Sequence, residues 1–304
     1  MRITQSMMNS SMMTNLQANY SRLDRSQEQL MTNKRINRPS DDSVGVANAL
    51  RYRGEISHTD QFQENTQDAD SWLKFNDTVM TETINILQTI SEKTIQGATD
   101  TAPADARKAI AKEVEQLYNQ LVSIGNSQYK GKYVFNGEKV DQQPFPTDPA
   151  NKNYILDQGS IKYQVGAGIY ADVNSLGSNV FGDFSSSVGV YTDTSNIFKV
   201  IDNLKNALNS DNTTNIQTSI AGIQTCIDRV LTAQSDVGAK QNRLEFTSSR
   251  LDDLSLNYTD LQSKVEDIDM PKVITDVKTA ESIYQASLDT MARVIRPSLL
   301  DFLK

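Results

Sequence analysis

The stretch "IQTSIAGIQTCIDRVLTAQSDVGAKQNRLEFTSSRLDDLSLNYTDLQSKV", Ile216 to Val265, has an apolar residue at every seventh position. These positions are Ile216, Ile223, Val230, Val237, Leu244, Leu251, Tyr258 and Val265. A seven-residue apolar repeat is typical of a long α-helix that packs along another helix, as in a coiled coil. One helix over residues 216–268 would be roughly 80 Å long, and Pro271 is expected to end it. The stretch therefore predicts a mainly α-helical protein with long, paired helices.

Similar apolar seams occur towards both ends of the chain. The early seam has spacings of three and four residues and consists of Met13, Leu16, Tyr20, Leu23 and Leu30, and the late one includes Val273, Val277, Tyr284 and Met291. Between them, Trp72, Val79 and Ile86 form one further seam, and Ile110, Val114, Leu117, Leu121 and Ile124 form another. Because the two outermost seams have no other evident partner, we expect the two ends of the chain to pair with each other.

The middle of the chain has a different composition. Residues 138–192 are rich in Gly and Pro and contain short β-prone pieces such as "IKYQV" and "IYADV". We expect a small β-rich insert domain there, at the tip of an elongated rod of long helices. The predicted domain plan has inner terminal helices at 1–42 and 270–304, an α-helical rod domain at 43–137 and 193–269, and the insert at 138–192.

A polar break separates the first two helices, in "TNKRINRPSDDSVGVANAL", Thr32 to Leu50. We expect Lys34 and Arg35 to end the first helix, where cations suit the negative end of the helix dipole. Pro39 disfavours helix at the residue before it, and Ser40 or Asp41 is expected to cap the next helix. This pattern indicates a hinge, although an ordinary interhelical loop would have the same local features.

Composition limits the possible chemistry. Residues 1–53 have a net charge of +4 and residues 264–304 of −1, so a total of −8 leaves −8 − 4 + 1 = −11 for residues 54–263. An acidic middle argues against a nucleic-acid binder. The single Cys226 and single His58 cannot provide a zinc ligand set, and "VGAGIY" lacks the third glycine of a nucleotide loop. With no catalytic constellation and no run of 18 apolar residues, we predict no enzyme, no metal, no cofactor and no membrane span.

Two motifs resemble those of bacterial flagellins and flagellar hook-associated proteins. In the Thr32–Leu50 stretch, the family pattern of a basic residue, Ile-Asn, an acidic pair and Gly is matched by Arg35, Ile36, Asn37, Asp41, Asp42 and Gly45. Near the other end, Val237 to Met270 resembles the C-terminal rod helix of the family, including Asn242, Arg243, Leu244, Glu245, Glu266, Asp267 and Asp269. The resemblance covers nearly the whole chain except about 138–192.

Within the family, "NSQYKGKYVFNG" resembles the smaller type of hook–filament junction protein, hook-associated protein 3, more than flagellin. The resemblance implies a structural protein of the extracellular flagellum that leaves the cell unfolded through the flagellar type III export channel with a dedicated chaperone. The implied partners are further copies in a junction ring, the other hook-associated junction protein and flagellin. The alternatives are flagellin itself and, from another class, an intracellular helical scaffold.

The expected assembly residues lie in both ends of the chain and in the hinge. They are Met13, Leu16, Tyr20, Leu23, Leu30, Arg35, Asn37, Asp41, Asp42, Tyr284, Met291, Leu299, Leu300, Phe302 and Leu303. Basic residues before the hinge and acidic residues after it are expected to pair between neighbouring subunits.

Overall fold

The computed structural model describes residues 5–99, 103–145, 156–182 and 196–295. Within these ranges the order is α1 (Gln5–Thr32), α2 (Ser43–Ala98), α3 (Ala104–Gly125), β1 (Gln128–Tyr129), β2 (Lys132–Tyr133), β3 (Lys162–Gly166), β4 (Ile169–Asp172), α4 (Gly177–Phe181), α5 (Ile197–Asn209), α6 (Thr213–Glu266) and α7 (Met270–Ile295). The prediction of a mainly α-helical fold with long helices and a little β-structure in the middle is confirmed.

Helix α6 follows the seven-residue repeat along its length but ends before the predicted boundary. It ends at Glu266, whereas Pro271 lies in the first turn of α7. Proline is tolerated there because a first-turn N–H has no partner within the helix. Asp269 precedes α7 and accepts a hydrogen bond from the Lys272 N–H at 3.3 Å, so an acidic cap, not the proline, determines where the new helix begins.

The chain forms two compact units. Residues Met1–Thr59 and Asp253–Lys304 form one, here called the terminal unit, and Asp60–Asp252 form the other, the central unit. The central unit contains the buried apolar core. The first six positions of the α6 repeat, Ile216 to Leu251, are all buried, as are Trp72, Val79 and Ile86 of α2. The heptad pattern therefore identified the packed faces of these helices correctly.

An aromatic cluster connects the helices of the central unit with the predicted insert. The Phe181 ring centroid lies 5.2 Å from that of Phe135, 4.8 Å from Phe145 and 5.5 Å from Phe198. All four rings are fully buried. Phe145 and Phe181 belong to the predicted 138–192 insert, so its described residues share one core with the helices. That residues 138–192 form a separate domain stays a prediction.

The described β-structure consists of two small antiparallel hairpins. In one, β1 pairs with β2, and in the other, β3 pairs with β4. The "VGAGIY" segment turns the second hairpin, with Gly168 at φ +71°, a left-handed conformation that favours glycine. It is therefore a tight turn between strands, as expected for a segment that lacks the nucleotide-loop pattern.

We predict that Phe181→Ala lowers the free energy of unfolding of the central unit by about 3–5 kcal/mol, the usual cost of removing a fully buried phenylalanine. Urea unfolding followed by circular dichroism at 222 nm measures this loss. Tyr170→Ala is the matched control, because that aromatic side chain lies in the same insert but is 56% exposed. Equal effects of the two substitutions would contradict a shared core.

Candidate assembly interface

Helices α1 and α7 pair with each other in the terminal unit and run antiparallel. The rings of Tyr20 and Tyr284 lie 5.8 Å apart, and the Asn19 side-chain amide donates a hydrogen bond of 2.8 Å to Ser287 Oγ. Leu16 and Met291 line a common groove of 320 Å³ between the helices. The predicted pairing of the two ends of the chain therefore occurs within a single subunit.

This helix pair covers its apolar seams only in part. Leu16, Leu23, Leu30, Tyr284 and Met291 are half-buried. Met13 is 57% exposed and Tyr20 55% exposed, and no described side chain of α1 is fully buried. In α7, Val273 alone is buried among the described side chains. The predicted residues Leu299, Leu300, Phe302 and Leu303 lie outside the described residues.

The connection between α1 and α2 differs from the prediction at its start. Helix α1 ends at Thr32, and Asn33 adopts a left-handed φ of +56°, which asparagine tolerates better than most residues. Lys34 and Arg35 therefore lie beyond the helix rather than in its last turn, so the prediction that they interact with its dipole was wrong. The chain turns at Asn33, before either cation can lie in the last turn of the helix.

The cap of α2 also differs from the prediction. Asp42, not Ser40 or Asp41, precedes the helix, and its Oδ1 accepts a 2.9 Å hydrogen bond from the Gly45 N–H. Asp41 instead accepts hydrogen bonds from the N–H groups of Arg38 at 2.9 Å and Asn37 at 3.3 Å, which closes the connection on itself. The Gly45 N–H bond holds the pKa of Asp42 below its ordinary value against a smaller desolvation effect, and Arg35 adds to the lowering.

Gly45 is required by close packing in the first turn of α2. A Cβ atom at this position would come within 2.5 Å of both Asp42 Oδ2 and Ile36 Cδ1. Ile36 is itself buried, so it has little freedom to move away. The Asp-Asp-x-x-Gly spacing thus has a physical basis: the capping carboxylate and the glycine fit together.

Glu266, at the end of α6, joins this connection to the other end of the chain. Its carboxylate is 3.1 Å from Lys34 Nζ and 2.6 Å from Arg53 Nη2. Arg53 and Glu266 are close enough to form an ion pair, but Glu266 Oε1 accepts no well-aligned hydrogen bond. The Glu266 carbonyl accepts a 2.6 Å hydrogen bond from the Arg35 N–H, and the Arg35 guanidinium donates to the Val265 carbonyl at 2.9 Å.

The environment of Glu266 favours its charged form. Its side chain is only 4% exposed, and burial alone would raise its pKa. Arg53, Lys34 and Gln262 together outweigh that burial and hold the pKa of Glu266 below its ordinary value. Neither Glu266 nor Arg53 was among the predicted assembly residues. Glu266 was recognised only as part of the family motif, and no local pattern indicates that residues so far apart would meet.

The charges of the connection pair within one chain. Arg35 Nη2 lies 3.2 Å from Asp42 Oδ2, and Arg38 Nη2 lies 3.0 Å from Glu28 Oε2. Arg25 Nε lies 3.8 Å from Asp41 Oδ1. Within the subunit these residues already have partners, and they fix the shape of the connection. The expectation that they pair between subunits stays a prediction.

Within the described ranges, no helix is both long enough and apolar enough to cross a bilayer. The same residues contain no group of three or more His, Cys, Asp or Glu side chains placed to hold a metal ion.

We predict that Glu266→Gln weakens the terminal unit by about 2 kcal/mol at pH 7, because the ion pairs of this nearly buried carboxylate with Lys34 and Arg53 are lost. Faster amide exchange of Arg35, whose N–H bonds to the Glu266 carbonyl, reports the change. Since the folded pKa of Glu266 is depressed, its contribution is complete above the ordinary value of 4.5 and is lost as the pH falls below it. The difference between wild type and variant should therefore shrink from pH 7 to pH 3.

Glu281→Gln is the control, because Glu281 forms an exposed pair with Lys278 on the same unit. Exposed pairs of this kind contribute less than about 0.5 kcal/mol. A Glu266→Gln difference that stays constant with pH would contradict the assignment of a depressed pKa to this carboxylate.

Comparisons with known proteins agree with the fold and the two motifs. The chain is 26% identical to flagellar hook-associated protein 3 of Escherichia coli K12, over 86% of each chain. It is 28% identical to flagellin of Bacillus subtilis 168, over 96% of each chain. The solved structure of the flagellar junction protein FlgL from Legionella pneumophila has a TM-score of 0.57 and 21% identity, over 74% of this chain and all of that one.

Family comparisons identify both ends of the chain. Residues 3–140 match the bacterial flagellin N-terminal helical region. Residues 220–303 match the bacterial flagellin C-terminal helical region. The two regions occur in the expected order, include both α1 and α7, and flank the segment that the sequence resemblance left out; the chain belongs to the bacterial flagellin family.

Proposed function

We propose that this chain is a structural subunit of the bacterial flagellum that forms the junction layer between the hook-side junction protein and the flagellin filament. The observation that supports this most directly is the incomplete cover of the α1–α7 pair. A subunit that functioned alone would gain nothing from leaving Met13 and Tyr20 more than half exposed on a helix pair with almost no buried core. Further subunits can bury these side chains on assembly.

A sequence motif, rather than overall identity, favours the junction role over the filament role. Relatives named flagellar hook-associated protein 3 match at about the same identity as flagellins, so identity alone does not separate the two. The "NSQYKGKYVFNG" motif favours the junction type. In this chain it places Phe135 in the buried aromatic cluster. Flagellin, the filament subunit, is the second candidate.

The terminal unit is the assembly module in this proposal. Met13, Leu16, Tyr20, Leu23, Leu30, Tyr284 and Met291 form the contact seam, and the Arg35–Asn37–Asp41–Asp42 connection holds it in position. The chain leaves the cell unfolded, is secreted to the extracellular flagellum with the help of an export chaperone, and binds further copies of itself, the other hook-associated junction protein and flagellin. It performs no catalysis.

We predict that Met13→Ser/Tyr20→Ser abolishes assembly but leaves the isolated subunit almost unchanged. Each side chain is already more than half exposed in the subunit, whereas burying it on assembly would contribute about 1.5–3 kcal/mol. Electron microscopy of a complemented null strain should show hooks without filaments, and circular dichroism of the purified variant should match wild type. Gln17→Ser/Asp24→Ser, at exposed polar positions of α1, is the control and should keep filaments.

Immunogold labelling of the wild-type chain separates the three candidate functions. A single band between hook and filament supports the junction role, and label along the filament supports flagellin. Label confined to the cytoplasm would support an intracellular scaffold and would overturn the proposal.

The apolar segment "SLLDFLK" is proposed to bind the export chaperone and later pack into the assembled inner tube. Removing residues 298–304 should abolish chaperone binding, junction assembly or both, and leave thermal unfolding of the central unit unchanged. Several apolar side chains, including Leu299 and Phe302, would otherwise contribute to those contacts. A truncated chain that still binds chaperone and restores motility would show that the segment is dispensable.

A further inference from the structure

One exposed face of α6 in the central unit is not used by the function proposed above. It is lined by Ala239, Asn242, Arg243, Phe246, Thr247 and Arg250, and is called here the Phe246 face. These residues lie three or four positions apart, so they form one stripe of the helix. The opposite side of α6 packs into the core through Leu244 and Leu251. No described element covers the Phe246 face.

Phe246 is 76% exposed, the largest exposure of any aromatic side chain among the described residues. The central unit has a well-packed aromatic cluster of its own, so an exposed phenylalanine outside that cluster adds nothing to its stability. Aromatic and arginine side chains are enriched at protein–protein contacts and at their energetic centres. Phe246 lies between two arginines, and this composition is typical of a contact surface.

Arg243 and Arg250 have no ion pair with any described residue. Of the other two arginines of the central unit, Arg107 pairs with Asp211, and Arg229 has an interaction partner. Two guanidinium groups without a described ion-pair partner, on an acidic chain, favour contact with an acidic surface.

A surface of that kind lies on α2 of the same central unit. Its exposed stripe consists of Thr78, Glu82, Asn85, Glu92 and Gln96, and is called here the acidic α2 face. The two cations beside the stripe, Lys74 and Lys93, are already paired with Asp70 and Glu113. Neither Glu82 nor Glu92 forms an ion pair with a described residue. A second copy of the chain therefore presents charges that complement the Phe246 face.

The spacing of the charges fits as well. Arg243 and Arg250 are seven residues apart, about 10 Å along the helix, and Glu82 and Glu92 are ten residues apart, about 15 Å. When the two charge pairs are centred on each other, each arginine is offset from its glutamate by about 2 Å along the helix. This offset is well within the length of an arginine side chain.

The relative direction of the two helices agrees with an assembly in which all copies point the same way. Within one central unit, α2 and α6 are antiparallel, as the contacts Gln63–Asp252 and Gln234–Asp77 require. Copies that share one direction, as a layer between two different structures demands, would also bring α2 and α6 together antiparallel. Within one unit, Arg243 is level with about residue 70 of α2, so contact with Glu92 requires a neighbouring copy that is shifted by about 20 residues, or roughly 30 Å, along the helix axis. Arg243 then lies opposite Glu92, Arg250 opposite Glu82, and Phe246 over the intervening turn near Asn85.

We propose that the Phe246 face binds the acidic α2 face of a neighbouring copy that is shifted along the helix axis, and that this contact holds adjacent copies of the junction layer together. This inference rests on the proposed function, because it assumes that copies assemble with a common direction.

Cysteine cross-linking in assembled flagella tests the contact. A null strain is made to produce two full-length variants together, Asn85→Cys and Ser249→Cys, and a short bifunctional maleimide is added. A covalent dimer is expected, since residue 249 of one copy lies opposite residue 85 of the next. The native Cys226 is buried, so the unsubstituted chain is expected to give no dimer.

Charge reversal in this cross-linking background provides the second arm. Arg243→Glu/Arg250→Glu should lower the dimer yield at least tenfold, and adding Glu82→Arg/Glu92→Arg should restore it. Lys132→Glu/Lys162→Glu, at exposed positions away from both faces, is the control and should keep the yield. The four substituted side chains, at positions 82, 92, 243 and 250, are all exposed. Circular dichroism of the charge-reversed variants should therefore show unchanged helix content.

The outcomes separate the two proposals. If the unsubstituted chain labels the junction but the cysteine pair gives no dimer, or if the Ser249→Cys variant cross-links to a different protein, the proposed contact is wrong and the junction role stands. A dimer yield that does not respond to charge reversal also overturns the contact as described. If the unsubstituted chain does not label the junction at all, the proposed function itself fails.

Discussion

The terminal unit depends on one buried carboxylate. Glu266 lies where α6 ends, Lys34 lies at the start of the α1–α2 connection and Arg53 lies in α2, so one side chain joins two changes of chain direction. Burying a carboxylate costs several kcal/mol unless cations and hydrogen bonds compensate for the lost water. Here both cations keep almost half of their side-chain surface in water, so the charge is neutralised without burying the whole ion pair. The arrangement selects one geometry of the connection more than it adds to stability.

The other features of the connection follow from that geometry. Asn33 has to turn the chain immediately after Thr32 so that the Arg35 N–H can reach the Glu266 carbonyl. Asp42 caps α2 only because Gly45 leaves room for its carboxylate. Arg35 then bridges the two ends of the chain, with its guanidinium between Asp42 and the Val265 carbonyl. Each residue of the family motif has a contact of its own, and this explains the spacing of the motif without any reference to a neighbouring subunit.

Periodicity predicted the long helices because a repeat sustained over seven turns or more has few alternative structures. The positions from Ile216 to Leu251 are buried as the repeat requires, and α3 follows its own seam. Periodicity could not show whether Ser40, Asp41 or Asp42 caps α2. The choice of cap depends on Glu266 and Val265, which contact Arg35 from 230 residues away. The aromatic cluster was missed for a related reason: Gly and Pro indicated a separate insert, whereas Phe145 and Phe181 are single apolar residues whose shared burial with Phe198 no local pattern records.

The two units differ in how completely they bury their own apolar residues, and the assembly proposed above depends on this difference. The central unit has a continuous core in which aromatic, α2, α3 and α6 side chains are buried. In the terminal unit, the α1–α7 pair buries only Val273 completely among its described side chains. An isolated helix pair of this kind is marginal in water, since most helical stability in proteins comes from packing. If α1 and α7 had a complete core of their own, the apolar surface needed to join subunits would already be used. In the proposed assembly, the half-covered seam is ordered enough to present Met13 and Tyr20, and open enough to gain burial from neighbouring copies.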